Sequence, residues 1–172
     1  MSVYPDVYLP TDTTEDNDFQ FTRGLKGGNF LGWHWDGSVN YGRNDSSIGI
    51  QNTINNSLGP DSPHNFHLQS LANSELTADF DIRHSFRTGL FKDPLQVAAG
   101  IEYRYQQYEV AAGERSAWAD GGYINPASYV FPTATPALPF ASGLGATSPS
   151  QAGTHSRMNC AFYLDLTQKV TD

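Results

Sequence analysis

The sequence predicts an all-β fold: an open antiparallel up-and-down sheet of about five long strands, which is a segment of a larger transmembrane β-barrel with long extracellular loops. Three observations lead to this prediction. Apolar and polar residues alternate with a period of two in five stretches. Four of these stretches are about ten residues long, as a tilted membrane-crossing strand requires, whereas ordinary globular strands have about five or six residues. Finally, short and long connections alternate along the chain.

The composition supports strands. Aromatic residues make up 13% of the chain and charged residues only 16%, a balance that suits pleated surfaces separated by polar turns. In the third stretch, Phe80 and Ile82 fall on one face and Asp79 and Asp81 on the other, and only His84 breaks the apolar row. The five alternating stretches are 19–25, 33–41, 76–86, 95–105 and 157–166.

The connections predict the topology. Residues 26–32 and 87–94 are short, Gly-containing links, whereas 42–75 and 106–156 are long. In an up-and-down sheet, all short connections then lie at one end of the strands and all long ones at the other, which is the arrangement of short periplasmic turns and long extracellular loops. The predicted loops are about 1–18, 42–75 and 106–156. Ligand capture is predicted in these long loops, because loops carry variable recognition on a rigid scaffold.

The two faces of the predicted sheet have different chemistry. The apolar side chains are predicted to face lipid: Val39, Phe80, Ile82, Val97, Ala99, Ile101, Phe162 and Leu164. The charged and polar side chains on the other face are predicted to line a lumen: His34, Asp36, Asp79, Asp81, Arg83, Glu102, Arg104 and Asp165. Aromatic girdles are predicted beside the short turns and towards the long loops: Trp33, Trp35, Phe86 and Phe91, then Tyr41, Tyr103, Tyr105 and Tyr108.

Several function classes are disfavoured. A net charge of −8 argues against a nucleic-acid partner. Cys160 is the single cysteine, so no disulfide or zinc cluster is predicted. His64 and His67 form no complete metal set, and the acidic run at 12–18 lacks the order of a calcium loop. Asp79 and Asp81 have no companion suggesting a glycosidase cleft. We therefore predict no catalytic residue, no cofactor, no metal and no enzyme activity.

The ends of the sequence are also informative. No run of 18 or more apolar residues exists, so no transmembrane helix is predicted. Residues 1–20 are acidic and show no signal peptide. For an outer-membrane protein this predicts an internal piece of a longer chain, or a misassigned start.

The sequence resembles the barrel region of TonB-dependent receptors over nearly its whole length. The closest stretch is PLQVAAGIEYRYQQYEVAAGE, which resembles the family's hairpin of a short turn, an Ala-Gly-rich strand and an Ala-Gly-Glu exit. NNSLGPDSP resembles a loop that follows a strand of the GWHWDGSVNYG type. The further similar segments are Tyr8–Gly27 and Ser156–Asp172. No segment resembles the plug domain, the TonB box or the terminal assembly strand.

The resemblance implies a partial TonB-dependent receptor barrel over 1–172, in the outer membrane of a Gram-negative bacterium. It implies a part in energy-coupled uptake of a siderophore, a vitamin or a carbohydrate, and one barrel segment does not separate these cargoes. The implied partners are outer-membrane lipid, the remaining strands, the plug, and TonB only through that missing plug. The alternative is a soluble β-barrel or β-sandwich ligand-binding module, in which Phe80, Ile82, Val97 and Ile101 would meet in a closed core. A β-rich enzyme is disfavoured because no convergent site is visible.

Overall fold

The computed structural model describes residues 8–89, 93–128 and 132–169. Within these ranges the chain is all-β, and its five long strands form one open antiparallel sheet, as predicted. These strands are β1 (Thr11–Phe30), β2 (Trp33–Gln51), β3 (Phe66–Phe86), β4 (Leu95–Ala112) and β7 (Gly153–Thr167). Their order in the sheet is β1-β2-β3-β4-β7, so each long strand neighbours the previous one.

Shorter elements lie in the long connections. A 3-10 helix (Asn56–Asp61) lies between β2 and β3. Helix α1 (Arg115–Trp118) and a small ribbon of β5 (Ile124–Asn125) with β6 (Thr135–Pro136) lie between β4 and β7. Neither helix in the described ranges is long and apolar enough to cross a bilayer.

The strands are longer than predicted, which corrects the predicted loop boundaries. β2 continues to Gln51, β3 begins at Phe66 and β4 continues to Ala112, so the predicted loops 1–18, 42–75 and 106–156 are too wide. The added ends lack a clean two-faced alternation. They are held by packing, because Ile50 in β2 and Phe66 in β3 belong to one buried cluster. Tertiary contacts therefore override the weak local pattern.

A two-residue turn joins β1 to β2. Leu31 and Gly32 both have positive φ, 53° and 85°, which is the backbone that matches the right-handed twist of a two-residue hairpin. The predicted link 26–32 is thus mostly strand. The other short connection, 87–94, includes residues outside the described ranges, and the predicted girdle residue Phe91 is one of them.

The chain divides into two compact units. The first, here the loop unit, is Met1–Asn17, Asn44–Ala72 and Tyr108–His155; the second, the strand unit, is Asp18–Arg43, Asn73–Gln107 and Ser156–Asp172. The buried apolar cluster lies wholly in the loop unit: Ile50, Phe66, Leu68, Ala117, Ala141 and Ala146. The end of β2, the start of β3 and the long connection between β4 and β7 therefore share a small core.

Asn55 organises the loop unit. Its side chain is fully buried, and its Nδ2 donates to the carbonyl oxygens of Ser116 at 2.8 Å and Ala119 at 2.9 Å. Its Oδ1 accepts from the backbone N–H of Ser57 at 3.1 Å and from the Ser57 hydroxyl at 2.8 Å. One amide therefore caps the 3-10 helix and ties it to α1, which satisfies polar groups that would otherwise be buried without partners.

Candidate functional site

The strand unit carries a hollow that is lined mainly by polar residues, and also by Trp35 and by Ile82, which was predicted to face lipid. The hollow has a volume of about 690 Å³. Four predicted lumen residues line it together with Lys26 and Tyr163: His34, Asp36, Asp81 and Arg83. A second hollow of about 320 Å³ shares His34 and Arg83 with the first and adds Asp165. Five of the eight predicted lumen residues are thus brought together around these hollows, from β2, β3 and β7.

The other three predicted lumen residues lie in polar contacts on the same sheet. Asp79 Oδ2 accepts from the Ser38 hydroxyl at 3.5 Å. Arg104 pairs with Glu102 at 3.0 Å and approaches Glu75 at 3.9 Å. These pairs are half-exposed, so each contributes little to stability. They nevertheless keep charged groups together on one face.

Gly100 allows a contact that spans three strands. The hydroxyl of Tyr163 in β7 donates to Asp81 Oδ1 in β3 at 2.7 Å. β4 lies between these strands, and a Cβ at Gly100 would overlap both Asp81 Oδ1 and the Tyr163 ring. A side chain at position 100 would therefore push Tyr163 or Asp81 aside, and glycine leaves room for the tyrosine to cross the intervening strand.

The predicted lipid-facing residues are not enclosed. Phe80 is 47% exposed, Ile101 53%, Phe162 88% and Leu164 68%. Val39 is also exposed, while the remaining three are half-buried: Ile82, Val97 and Ala99. In the part of the chain that the structure describes, none of the eight belongs to the buried cluster. Whether lipid covers them stays a prediction.

His84 interrupts the apolar row for a local reason. Its Nδ1 lies 2.6 Å from the carbonyl oxygen of Gly32 in the β1–β2 turn. Its ring lies 5.1 Å from the Trp33 ring and 4.3 Å, edge-on, from Phe86. The imidazole thus bonds the turn on one side and packs between aromatic rings on the other, which suits the edge of an aromatic girdle.

The loop unit has a hollow of its own, of about 480 Å³. Its lining comes from β1, from β2, from β3 and the residue before it, and from Glu114, which follows β4. Its polar lining comprises Thr13, Thr14, Glu15, Ser47, Gln51, Asn65, His67 and Glu114. Sequence reasoning predicted ligand capture in the long loops but did not identify these residues, because they are distant in sequence and carry no motif.

His67 is held inside this hollow by hydroxyl groups. Its Nδ1 lies 3.4 Å from Ser47 Oγ and its Nε2 lies 3.1 Å from Ser70 Oγ. Within residues 8–89, 93–128 and 132–169, no group of three or more His, Cys, Asp or Glu is arranged to hold a metal ion. The hollow is therefore suited to a ligand bound by hydroxyl, amide and carboxylate groups.

No family model, no curated protein and no solved structure matches this chain. The features that bear on function are therefore the two faces of the strand unit and the hollow of the loop unit.

Proposed function

We propose that this chain is a barrel segment of an outer-membrane receptor of the TonB-dependent kind, which takes part in energy-coupled uptake of a ligand across the outer membrane of a Gram-negative bacterium. The observation that carries the proposal is the division of the long-stranded sheet. Apolar side chains such as Phe80 and Phe162 are exposed on one face, while charged side chains pair and line hollows on the other.

The apolar face is more stable against lipid than against water. Burying a Phe or Leu side chain contributes about 1.5–3 kcal/mol. Leaving Phe80, Ile101, Phe162 and Leu164 exposed in water therefore forfeits several kcal/mol, on the scale of the roughly 5–15 kcal/mol that stabilises a whole domain. Acyl chains cover such a face without requiring a second protein layer.

The edge strands β1 and β7 require further strands beside them if the sheet lies in lipid. In the described ranges, β1 and β7 each have a neighbour in the five-stranded sheet on one side only. In lipid, each unpaired backbone group costs several kcal/mol. The proposal therefore includes additional strands of a longer receptor beside β1 and β7, and a plug that faces the polar hollow and contacts TonB.

A soluble ligand-binding module is the second candidate, and the folded loop unit is the observation that favours it. A buried apolar cluster and a hollow both lie within this unit, which is what a small ligand-binding module requires. This candidate, however, leaves the apolar row of the strand unit uncovered, since Phe80 and Ile101 lie outside the buried cluster.

Cys160 provides a direct test. It is exposed and lies in β7 between Met158 and Phe162 in the alternating apolar row. A fluorophore attached to Cys160 in the full chain, refolded into phospholipid vesicles, should be quenched strongly by nitroxides on the lipid acyl chains. It should be quenched weakly by aqueous iodide, because the side chain faces lipid.

The matched control moves the label by one residue. In the Cys160→Ser, Asn159→Cys double variant, the label lies on the opposite face of β7, so iodide should quench it more strongly and lipid nitroxides more weakly. Equal quenching at both positions, or iodide quenching of the Cys160 label, would contradict a lipid-facing row. The soluble module would then be favoured.

A further inference from the structure

The two units differ sharply in charge. The residues of the loop unit include nine acidic residues and a single basic one, Arg115, whereas the strand unit includes nine of each. The entire net charge of −8 therefore belongs to the loop unit. Such a concentration of one sign raises the local concentration of cations and repels anions.

The hollow of the loop unit has the same bias. Glu15 and Glu114 line it, and no Lys or Arg does. The carboxylate of Glu15 is exposed at the wall of the hollow, so it can receive a cationic group without giving up an ion pair within the described residues. Glu114 is fixed by two hydrogen bonds: its N–H donates to the carbonyl oxygen of His67 at 3.0 Å, and its Oε1 accepts from the Ser116 hydroxyl.

The remaining lining supplies neutral acceptors. The hydroxyls of Thr13 and Ser47 and the amide of Gln51 face the same space. Gly49 keeps the space open, since a Cβ there would lie 2.8 Å from Thr13 Oγ1 and 3.0 Å from the Phe66 carbonyl oxygen. A volume of about 480 Å³ falls within the range of roughly 300–1,000 Å³ that is typical of small-molecule sites.

From these observations we infer that the hollow of the loop unit binds a small organic cation, a molecule that carries amine or guanidinium groups spaced to reach Glu15 and Glu114. N–H groups of the ligand donate to the two carboxylates, and the oxygens of Ser47, Thr13 and Gln51 accept hydrogen bonds from its remaining N–H groups. A bare metal ion fits less well, because the described residues hold no metal-ligating cluster. An anionic ligand is repelled. That this cation is the transported cargo rests on the proposed receptor function, whereas its binding does not.

The test uses the full chain refolded in detergent micelles and titrated by calorimetry with spermidine as the organic cation. Triethylene glycol serves as a neutral ligand of similar length, citrate as an anion and Mg²⁺ as a bare cation. We expect saturable binding of spermidine alone. Glu15→Gln and Glu114→Gln should each weaken it about three- to tenfold, because each removes one charge-assisted hydrogen bond at a partly hydrated site.

Asp61→Asn is the matched control. It removes one charge from the same unit at a residue that does not line the hollow, so affinity should change less than about twofold. Equal weakening by all three variants, tighter binding of citrate or Mg²⁺, or no binding of spermidine would overturn the inference. Since micelle titration reports nothing about membrane crossing, failure here leaves the Cys160 quenching result to decide the proposed function separately.

Discussion

At the scale of single residues, the buried amide of Asn55 is the main support of the loop unit. We expect Asn55→Ala to lower the free energy of unfolding of this unit by about 2–4 kcal/mol, because the Ser116 and Ala119 carbonyl oxygens and the Ser57 N–H lose a buried partner. Urea unfolding of the full chain in micelles measures this change by the fluorescence of Trp118, in a background that carries Trp33→Phe and Trp35→Phe so that Trp118 is the one remaining tryptophan.

The control for that experiment is Asn125→Ala, which removes an exposed amide from the small ribbon and should change stability by less than about 0.5 kcal/mol. A similar loss in both variants would contradict the role of Asn55. The sequence does not predict that role, because Asn-Asn-Ser-Leu-Gly is typical of an ordinary polar loop. Two of the partners of Asn55, the carbonyl oxygens of Ser116 and Ala119, come from a segment far along the chain.

Gly100 leads to a second prediction at this scale. Gly100→Ala should lower the urea midpoint of the strand unit, because the added methyl group displaces the Tyr163 ring and breaks its hydrogen bond to Asp81. Gly145→Ala is the control, as nothing lies within 4 Å of a Cβ there. Comparing urea midpoints of the two variants checks this, and equal midpoints would refute the three-strand contact.

At the scale of elements, alternation identified every long strand but not where the strands end. In the middle of β3, apolar and polar residues alternate through Phe80 and Ile82, so the local sequence is enough to predict a strand there. Beyond it, Phe66 and Leu68 are buried against residues from other segments. Their strand conformation is fixed by tertiary packing, which a local pattern does not encode.

The two faces of β7 lead to a prediction at the scale of an element. Phe162→Lys should prevent membrane insertion at a cost of about 2–4 kcal/mol if it lies near the bilayer centre. Ala161→Lys, on the polar face of the same strand, should insert normally. The folded fraction recovered in vesicles measures both. Phe162 is 88% exposed, so a soluble protein would tolerate both lysines equally, and that result would refute the membrane assignment.

At the scale of the whole molecule, the candidate site is the least predictable feature. The hollow of the loop unit combines β1, β2 and β3 with Glu114, which follows β4. The charge bias that marks it becomes visible only after the chain is divided in space, because the acidic residues are dispersed along the sequence. The sequence therefore predicts that the long connections bind a ligand, but not which side chains do so.

Trypsin cleaves after Lys and Arg, so the uneven distribution of basic residues predicts where it cuts the chain. Arg115 is the single basic residue of the loop unit and is exposed in the four-residue helix α1. We expect trypsin added to sealed vesicles containing the full chain to cut at Arg115. Arg23, Arg83 and Arg157 should be protected, because they lie within hydrogen-bonded strands that cross the bilayer.

Two variants make this cleavage pattern decisive. Arg115→Gln should abolish the cut, and Asn55→Ala should accelerate it, since α1 loses the buried amide that binds the Ser116 carbonyl. Mass spectrometry of the fragments identifies each site. Rapid cleavage at Arg23, Arg83 or Arg157 in vesicles, at the rate seen without lipid, would show that the bilayer does not shield the strand unit. The chain would then be a water-facing sheet with a ligand-binding loop unit.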